Sequence, residues 1–331
     1  MGKNNKNKVQ ESDLVLPPHS SQSSTPIIDT HTHLVSTFSA YQAKFKGGKH
    51  TTVHEFVRRV YDAEAGEIVE AIIDVWCEAP VQKKIWKEIA DSALTEEQRK
   101  REWGGIEYWF VMGAHEAKVY TDEVEADILE AMAHPRCVGW GEMGLDYHYD
   151  NSPREIQQAV FRRQLRQAVR LGKPLTIHTR EAEEDTEMIL KEEVPQDHRI
   201  HIHCYTDSPE LAQRLLDHFP NLYVGITGVI TYSTNLNTAA LVRQLTSQDP
   251  NPRLILETDA PYMIPSNLYG SLKGVKGRLP LSHTAMIPWT AEFVAGVANG
   301  VGVDGKEEGT EWDTDRVLKL CRENAKKMYG V

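Results

Sequence analysis

From Pro26 onward the chain alternates short apolar runs with amphipathic stretches, and this alternation constrains its fold more than any other feature. The runs are PIID (26–29), EAIIDVW (70–76), YWFVMGA (108–114), CVGWGEM (137–143), KPLTIH (173–178), RIHIHC (199–204), LYVGIT (222–227) and RLILETD (253–259). They make eight candidate strands, several apolar throughout, as parallel strands covered on both faces should be. The clearest intervening helix runs from Pro153 to Leu171, with Ser152 as N-cap, Pro153 in the first helical position, Glu155 completing a capping box, and Gly172 and Pro174 as stops. A second starts at Ser208-Pro209-Glu210 and ends before Pro220. Helical patterns also cover 288–299 and 313–329, the latter with Asp313 as N-cap, and residues 80–105 read as a charged helical insertion between the second and third strands. Strands alternating with helices imply βαβ units and a parallel sheet. Eight units in roughly 300 residues suit a single α/β domain, a (β/α)8 barrel, better than two domains. Residues 1–25 are polar, with Pro17-Pro18 and SSQSST, and read as a disordered leader.

Acidic residues outnumber basic ones 48 to 37, for a net charge of −11. That balance argues against holding nucleic acid by bulk charge. It leaves open a nuclease whose positive potential resides in bound metal ions. No run of about 18 apolar residues exists, so no membrane partner is expected. The start, MGKNNKNKVQ, lacks the apolar stretch of a signal peptide. Cys77, Cys137, Cys204 and Cys321 are widely spaced and form no disulfide framework. The expected setting is a reducing one, cytoplasmic or nuclear rather than secreted.

In such a barrel catalytic groups sit at the C-terminal ends of strands. The polar residues there are Asp29, His31 and His33 on the first strand, His115 on the third, Glu142 and Asp146 on the fourth, and His178, Arg180 and Glu181 on the fifth. His203 ends the sixth, and Glu257 and Asp259 end the eighth. His31 and His33, two apart, point to one side of a strand, and two inward imidazoles can hold one ion. The pair alone is weak evidence, since His201 and His203 repeat it. Four histidines, one glutamate and one aspartate at five strand ends are a far stronger signal than separate core histidines and capping acids.

DTHTH (29–33), GEMGLDYH (141–148), IHTREA (177–182), HCYTDSP (203–209) and ETDAPYM (257–263) occur in the order of, and resemble, the motifs of TatD-type metal-dependent deoxyribonucleases of the amidohydrolase superfamily. The similarity covers about 26–331, and the combined match is nearest to the fungal branch. It implies a distorted TIM barrel with two divalent cations, Zn²⁺, Mg²⁺ or Mn²⁺. His31, His33 and Asp259 would bind one, His178 and His203 the other, and Glu142 would bridge. No lysine stands at a strand end, which separates the chain from relatives that use a carboxylated lysine. Three segments depart from the family pattern: HCYTD after the sixth strand, the 80–105 insertion, and the long loop SNLYGSLKGVKGRLPLSH (266–283).

The expected activity is 3′–5′ exonuclease-like hydrolysis of DNA, with a single-stranded end as substrate, Glu142 holding the ions and Asp259 taking the proton of the attacking water. His115 and Arg180 are candidate substrate contacts. A solvated loop histidine, and a salt bridge from Arg180 to Glu181 or Glu183, are the alternatives. Lys273, Lys276 and Arg278 either face the site or are simply solvated. His201 reads as barrel filling or as support for a ligand, and Asp29 as orienting an imidazole or satisfying a core donor. The competing functions are an amidohydrolase for a small amide or phosphoester, and a non-catalytic scaffold that docks a protein partner through residues 80–105.

Overall fold

The computed structural model describes residues 9–61, 68–272, 274–275, 277–300 and 312–331. Eight strands, β1 (Ile27–Thr32), β2 (Val69–Trp76), β3 (Glu107–Met112), β4 (Cys137–Asp146), β5 (Leu175–Arg180), β6 (Ile200–Ile202), β7 (Leu222–Ile226) and β8 (Leu254–Leu256), pair in sequence order in one parallel sheet. Helices alternate with them: α1 (Leu34–Lys44), α2 (Val53–Val60), α3 (Lys83–Asp91), α4 (Glu96–Trp103), α5 (Asp122–Met132), α6 (Arg154–Leu171), α7 (Glu183–Glu193), α8 (Pro209–His218), α9 (Asn237–Gln248), α10 (Ile287–Ala298) and α11 (Thr314–Tyr329). The eight runs of the sequence are the eight strands, and the fold is the expected single-domain TIM barrel.

It is a distorted one. β8 and β1 share no ladder; the seam closes through one isolated parallel bridge, Thr32 to Ala260. Across it His33 N–H donates to Ala260 O (2.8 Å) and Asp259 N–H to His31 O (2.9 Å). The seam therefore joins the histidines of the first strand to the aspartate after the eighth.

Two apolar layers hold the barrel. Ile72, Tyr108, Phe110 and Met112 pack outward on Trp86, Trp103 and the other helix residues. Ile28, Ala71, Ile73, Val75, Val111 and Ile255 pack with Met328 and Tyr329 at the end of α11. That helix buries Val317, Leu318, Cys321, Asn324, Ala325 and Met328, a 3.6-residue stripe. Asp313 caps it through Arg316 N–H, as expected, and Ser208 caps α8 through Leu211 N–H. The helix after β4 begins differently. Pro153 is its N-cap, and Ser152 Oγ accepts from Lys118 N–H (3.0 Å) instead of capping.

One further expectation is extended and another corrected. Residues 80–105 are helical between β2 and β3, as expected; they form α3 and α4 and also bury Trp86, Ile89, Ala90 and Trp103. Trp103 stacks on Tyr108, with centroids 4.6 Å apart. Their charges occupy the outer faces of helices whose apolar faces are used by the barrel. The leader is not disordered over its described part, residues 9–25. Leu14 and Leu16 are buried, and His19 meets Trp289 edge-on at 4.9 Å. Ser23 and Thr25 hydroxyls both donate to Asp315 Oδ1 at 2.6 Å. Average composition concealed a short apolar cluster and a polar clasp to α11; residues 1–8 lie outside the described residues. Leu14→Ala should therefore cost about 2–5 kcal/mol, read as a drop in Tm. An unchanged melt would make the segment dispensable.

Candidate metal centre

Glu142 lies near the C-terminal end of β4, between Gly141 and Gly144, where β4 and β5 approach closely. A Cβ on Gly144 (φ +156) would lie 1.8 Å from His178 O, and one on Gly141 (φ +154) would lie 2.4 Å from Thr176 O. The GExG spacing thus brings Glu142 beside His178. Two buried glutamines of α6 fix the neighbouring strand ends. Gln157 accepts from Asp146 N–H (2.9 Å) and donates to Asp146 O (3.2 Å) and Ser152 O (2.8 Å). Gln164 accepts from Ala114 N–H (2.9 Å) and Trp140 Nε1–H (3.1 Å), and donates to Ala114 O (2.8 Å).

All six expected ligands converge. Glu142 Oε2 lies 3.4 Å from His31 Nε2 and 3.5 Å from His33 Nε2. Those nitrogens are 3.3 Å apart and stand 3.7 and 3.4 Å from Asp259 Oδ1. An ion with N and O ligands at roughly 2.0–2.2 Å has tetrahedral edges of about 3.3–3.6 Å. Four of the five distances fall in that range and the fifth, 3.7 Å, lies just above it, so this donor set fits a divalent cation. The other carboxylate oxygen, Oε1, faces a second group: His203 Nε2 at 2.9 Å, His178 Nδ1 at 3.2 Å and His115 Nε2 at 3.9 Å. Glu142 thereby touches both halves with different oxygens, the arrangement a bridging ligand requires.

The electrostatics follow. Burial raises the Glu142 carboxyl, but His203, His178 and His31 outweigh it and hold the group far below its usual range. Burial likewise opposes ionisation of Asp259, and His33, with His31 and His203 nearby, keeps it low. Burial depresses His31 to about 4, whereas Asp146 and Glu142 lift His178 to about 9 against burial. Asp259 has φ +50, a left-handed conformation that aspartate adopts more readily than most residues.

The other candidates divide. His115 lies in the loop after β3 but is half-buried, not solvated: its ring meets that of His178 edge-on at 4.5 Å, beside Glu142. Arg180 makes no ion pair with Glu181 or Glu183. Glu181 lies 2.7 Å from His148 Nδ1, and Glu183 accepts from Ser208 N–H and Oγ–H. The guanidinium lies over the Tyr149 ring, 5.0 Å from its centroid, on the wall of the cleft. Arg278 is exposed and off that wall, and Lys273 and Lys276 lie outside the described residues.

Asp29 accepts from His31 N–H, Thr258 N–H, and the Thr258 and Thr284 hydroxyls. It satisfies core donors, one of the two roles open from sequence, and those partners occupy both of its oxygens. His201 is fully buried, with Nε2 2.8 Å from Glu257 Oε2 and Nδ1 2.8 Å from Tyr329 OH. Glu257 Oε1 in turn accepts Cys204 N–H. His201 is both filling and indirect support for the turn that carries His203. Gly225 leaves room for the pair, since a Cβ there would lie 2.5 Å from both Glu257 Oε1 and His201 Nε2.

Two contacts escaped the sequence reading. Asp146, noted only as a strand-end acid, lies 3.3 Å from His178 Nε2. Cys77, just past β2, has its sulfur within 4.8 Å of donor atoms of His33 and Glu142. The position of Cys77 directly after a strand was the available signal.

A parallel barrel that gathers this His/Glu/Asp cluster at one end of its strands offers a donor set for divalent metal ions. The family described as TatD related DNase matches residues 28–330, and the chain belongs to it. It is 38% identical over 306 residues to the human protein named 3'-5' RNA nuclease TATDN2, covering 92% of this chain and 35% of that protein. It thus spans about a third of that relative. It is 32% identical over 211 residues to the uncharacterized metal-dependent hydrolase YabD of Bacillus subtilis, covering 64% of this chain and 72% of the other. A 163-residue match at 33% identity, covering 49% of this chain and 60% of the other, links it to the 3'-5' ssDNA/RNA exonuclease TatD of Musicola paradisiaca. In structure it resembles an uncharacterized amidohydrolase from Saccharomyces cerevisiae (TM-score 0.68, 17% identity, 92% of this chain and 100% of that one). The TatD homolog YJJV of Escherichia coli is similar too (TM-score 0.64, 22% identity, 93% and 99%).

Proposed function

We propose that this protein is a two-metal nuclease that hydrolyses phosphodiester bonds at a 3′ end of single-stranded nucleic acid. The observation that carries this reading is the division of donors around Glu142. Oε2 faces His31 and His33, and Oε1 faces His178 and His203. When bound, divalent cations supply Lewis acidity toward a phosphoryl oxygen and make water a competent nucleophile near neutral pH. Zn²⁺ and Mn²⁺ suit the imidazole-rich set, and Mg²⁺ favours its carboxylates.

The residues of the chain then divide the work. The Asp259 carboxylate, held ionised by its histidine neighbours, accepts the proton of the attacking water. Arg180 has a guanidinium without a carboxylate partner among the described residues and offers its fork to a phosphate oxygen. His115 is placed to donate to another. Asp146 holds the His178 ring in orientation through Nε2. The cleft above these groups, about 1080 Å³, accommodates more than a small amide or ester.

The family's description favours DNA, and the name of the human relative favours RNA. A side-by-side assay of 5′-labelled DNA and RNA strands with Mg²⁺, Mn²⁺ or Zn²⁺ tests the reading. Stepwise loss of 3′ nucleotides from at least one strand is expected, abolished by chelation. Absence of cleavage of both with all three metals would discard it. In terms of location, no described helix is long and apolar enough to cross a membrane.

A further inference from the structure

Two large aromatic side chains stand open to solvent among the exposed hydrophobic residues described, Tyr149 at 64% and Tyr262 at 58% exposure, and both line the cleft above the candidate metal centre. The most exposed large aliphatic side chain, Leu236 at 73%, lines it too. Water-exposed rings scattered singly need no explanation, but two that share one cleft form an apolar surface for something flat.

Both are held by the backbone of the site itself. Tyr149 N–H donates to Asp146 Oδ1 (3.0 Å), the carboxylate whose other oxygen meets His178. Its ring lies against the Arg180 guanidinium and edge-on to His148 at 5.0 Å. Tyr262 N–H donates to Asp259 O (2.9 Å). Thus each ring is placed relative to the groups proposed to do the chemistry.

The charge around them points the same way. Glu78, Glu116, Glu142, Asp146 and Asp259 line the cleft, and Arg180 is its sole Lys or Arg among the described residues. A protein that grips a strand by its phosphates needs a groove of several cations. Here at most one phosphate has a guanidinium to meet.

Resting on the nuclease reading above, we propose that the substrate strand is recognised through unpaired bases stacked on Tyr149 and Tyr262, with its backbone left largely unneutralised beyond the phosphate at the metal centre. The partner chemistry is therefore single-stranded nucleic acid with exposed base faces. A duplex hides those faces and presents only phosphates.

The test uses the metal-loaded full chain carrying Asp259→Asn, so that a strand is bound without being consumed. The probes are fluorescent oligothymidylate and an abasic deoxyribose-phosphate strand of equal length. Tyr149→Leu and Tyr262→Leu should each weaken oligothymidylate binding by about 5- to 150-fold, the span of one stacked base. Tyr→Phe at either position should restore it, and the abasic strand should bind weakly and equally to all variants. Binding should fall shallowly with salt, with a log–log slope nearer −1 than −5, since each neutralised phosphate of a single strand contributes about −0.7. Equal binding of the two probes, a steep salt slope, or tyrosine variants with unchanged affinity and wild-type melts would overturn the stacking proposal while leaving the nuclease reading intact. Failure of the parent protein to cleave any strand would remove that reading, and this inference with it.

Discussion

Asp259→Asn should hydrolyse its substrate about 10²- to 10⁴-fold more slowly while folding as the parent does. Asparagine keeps the shape and one oxygen, so it retains a donor toward the His31–His33 side of the cluster, 3.7 and 3.4 Å away. What it loses is the proton acceptor. In rate terms the loss is roughly 3–5 kcal/mol of barrier. The backbone placement that fixes Asp259, its N–H on His31 O and its carbonyl taking Tyr262 N–H, is untouched by the change. Metal content at the His178–His203 side should persist. Turnover measured beside elemental analysis and a thermal melt distinguishes the roles. Parental turnover would remove Asp259 from the proton transfer, and loss of all metal would make it a ligand first.

The largest effect on folding should come from Gly144→Ala. Its added Cβ would sit 1.8 Å from the His178 carbonyl oxygen, which is strand backbone and cannot step aside like a side-chain tip. The strands β4 and β5 must part, and the φ of +156 is itself strained for alanine. A cost of about 4 kcal/mol or more is expected. At about 2.1 cal/mol/K per residue, that lowers Tm by about 6 °C for a chain of this length. Because Glu142 and His178 are on the strands being separated, metal uptake should fall as well. Gly172→Ala is the control: it has φ +64 but nothing within 4 Å of the new atom, so it should cost only about 1 kcal/mol. Equal melts for the two variants would show that close strand approach does not govern the position.

Part of this was legible before any coordinates. The eight apolar runs were readable because a strand covered on both faces has few positions for polar residues, so the pattern survives without its partners. The candidate ligands were readable because the barrel places chemistry at strand ends, which a linear scan can find, and because motif order repeats that of the family. The leader misled that scan, and the buried face of the 80–105 helices escaped it. Leu14-Val15-Leu16 is a very short apolar run and Trp103 stands among polar residues, so only neighbours in space, such as Tyr108 for Trp103, make them core. Asp29 left two roles open, and only its neighbours in space, Thr258 and Thr284, select the core-donor one.

Sequence by itself determined the element order, the parallel barrel and the identity of the converging histidines and acids, because these depend on local periodicity and on motif order. Tertiary structure alone decided the rest. It closed the seam with a single bridge that draws His33 to Ala260, and it turned the two oxygens of Glu142 to opposite groups. It also set Arg180 beside an exposed Tyr149, without a carboxylate partner among the described residues. Each of these depends on distances between residues far apart in the chain. Such distances are fixed by packing and register across neighbouring strands, not by any residue's own preference.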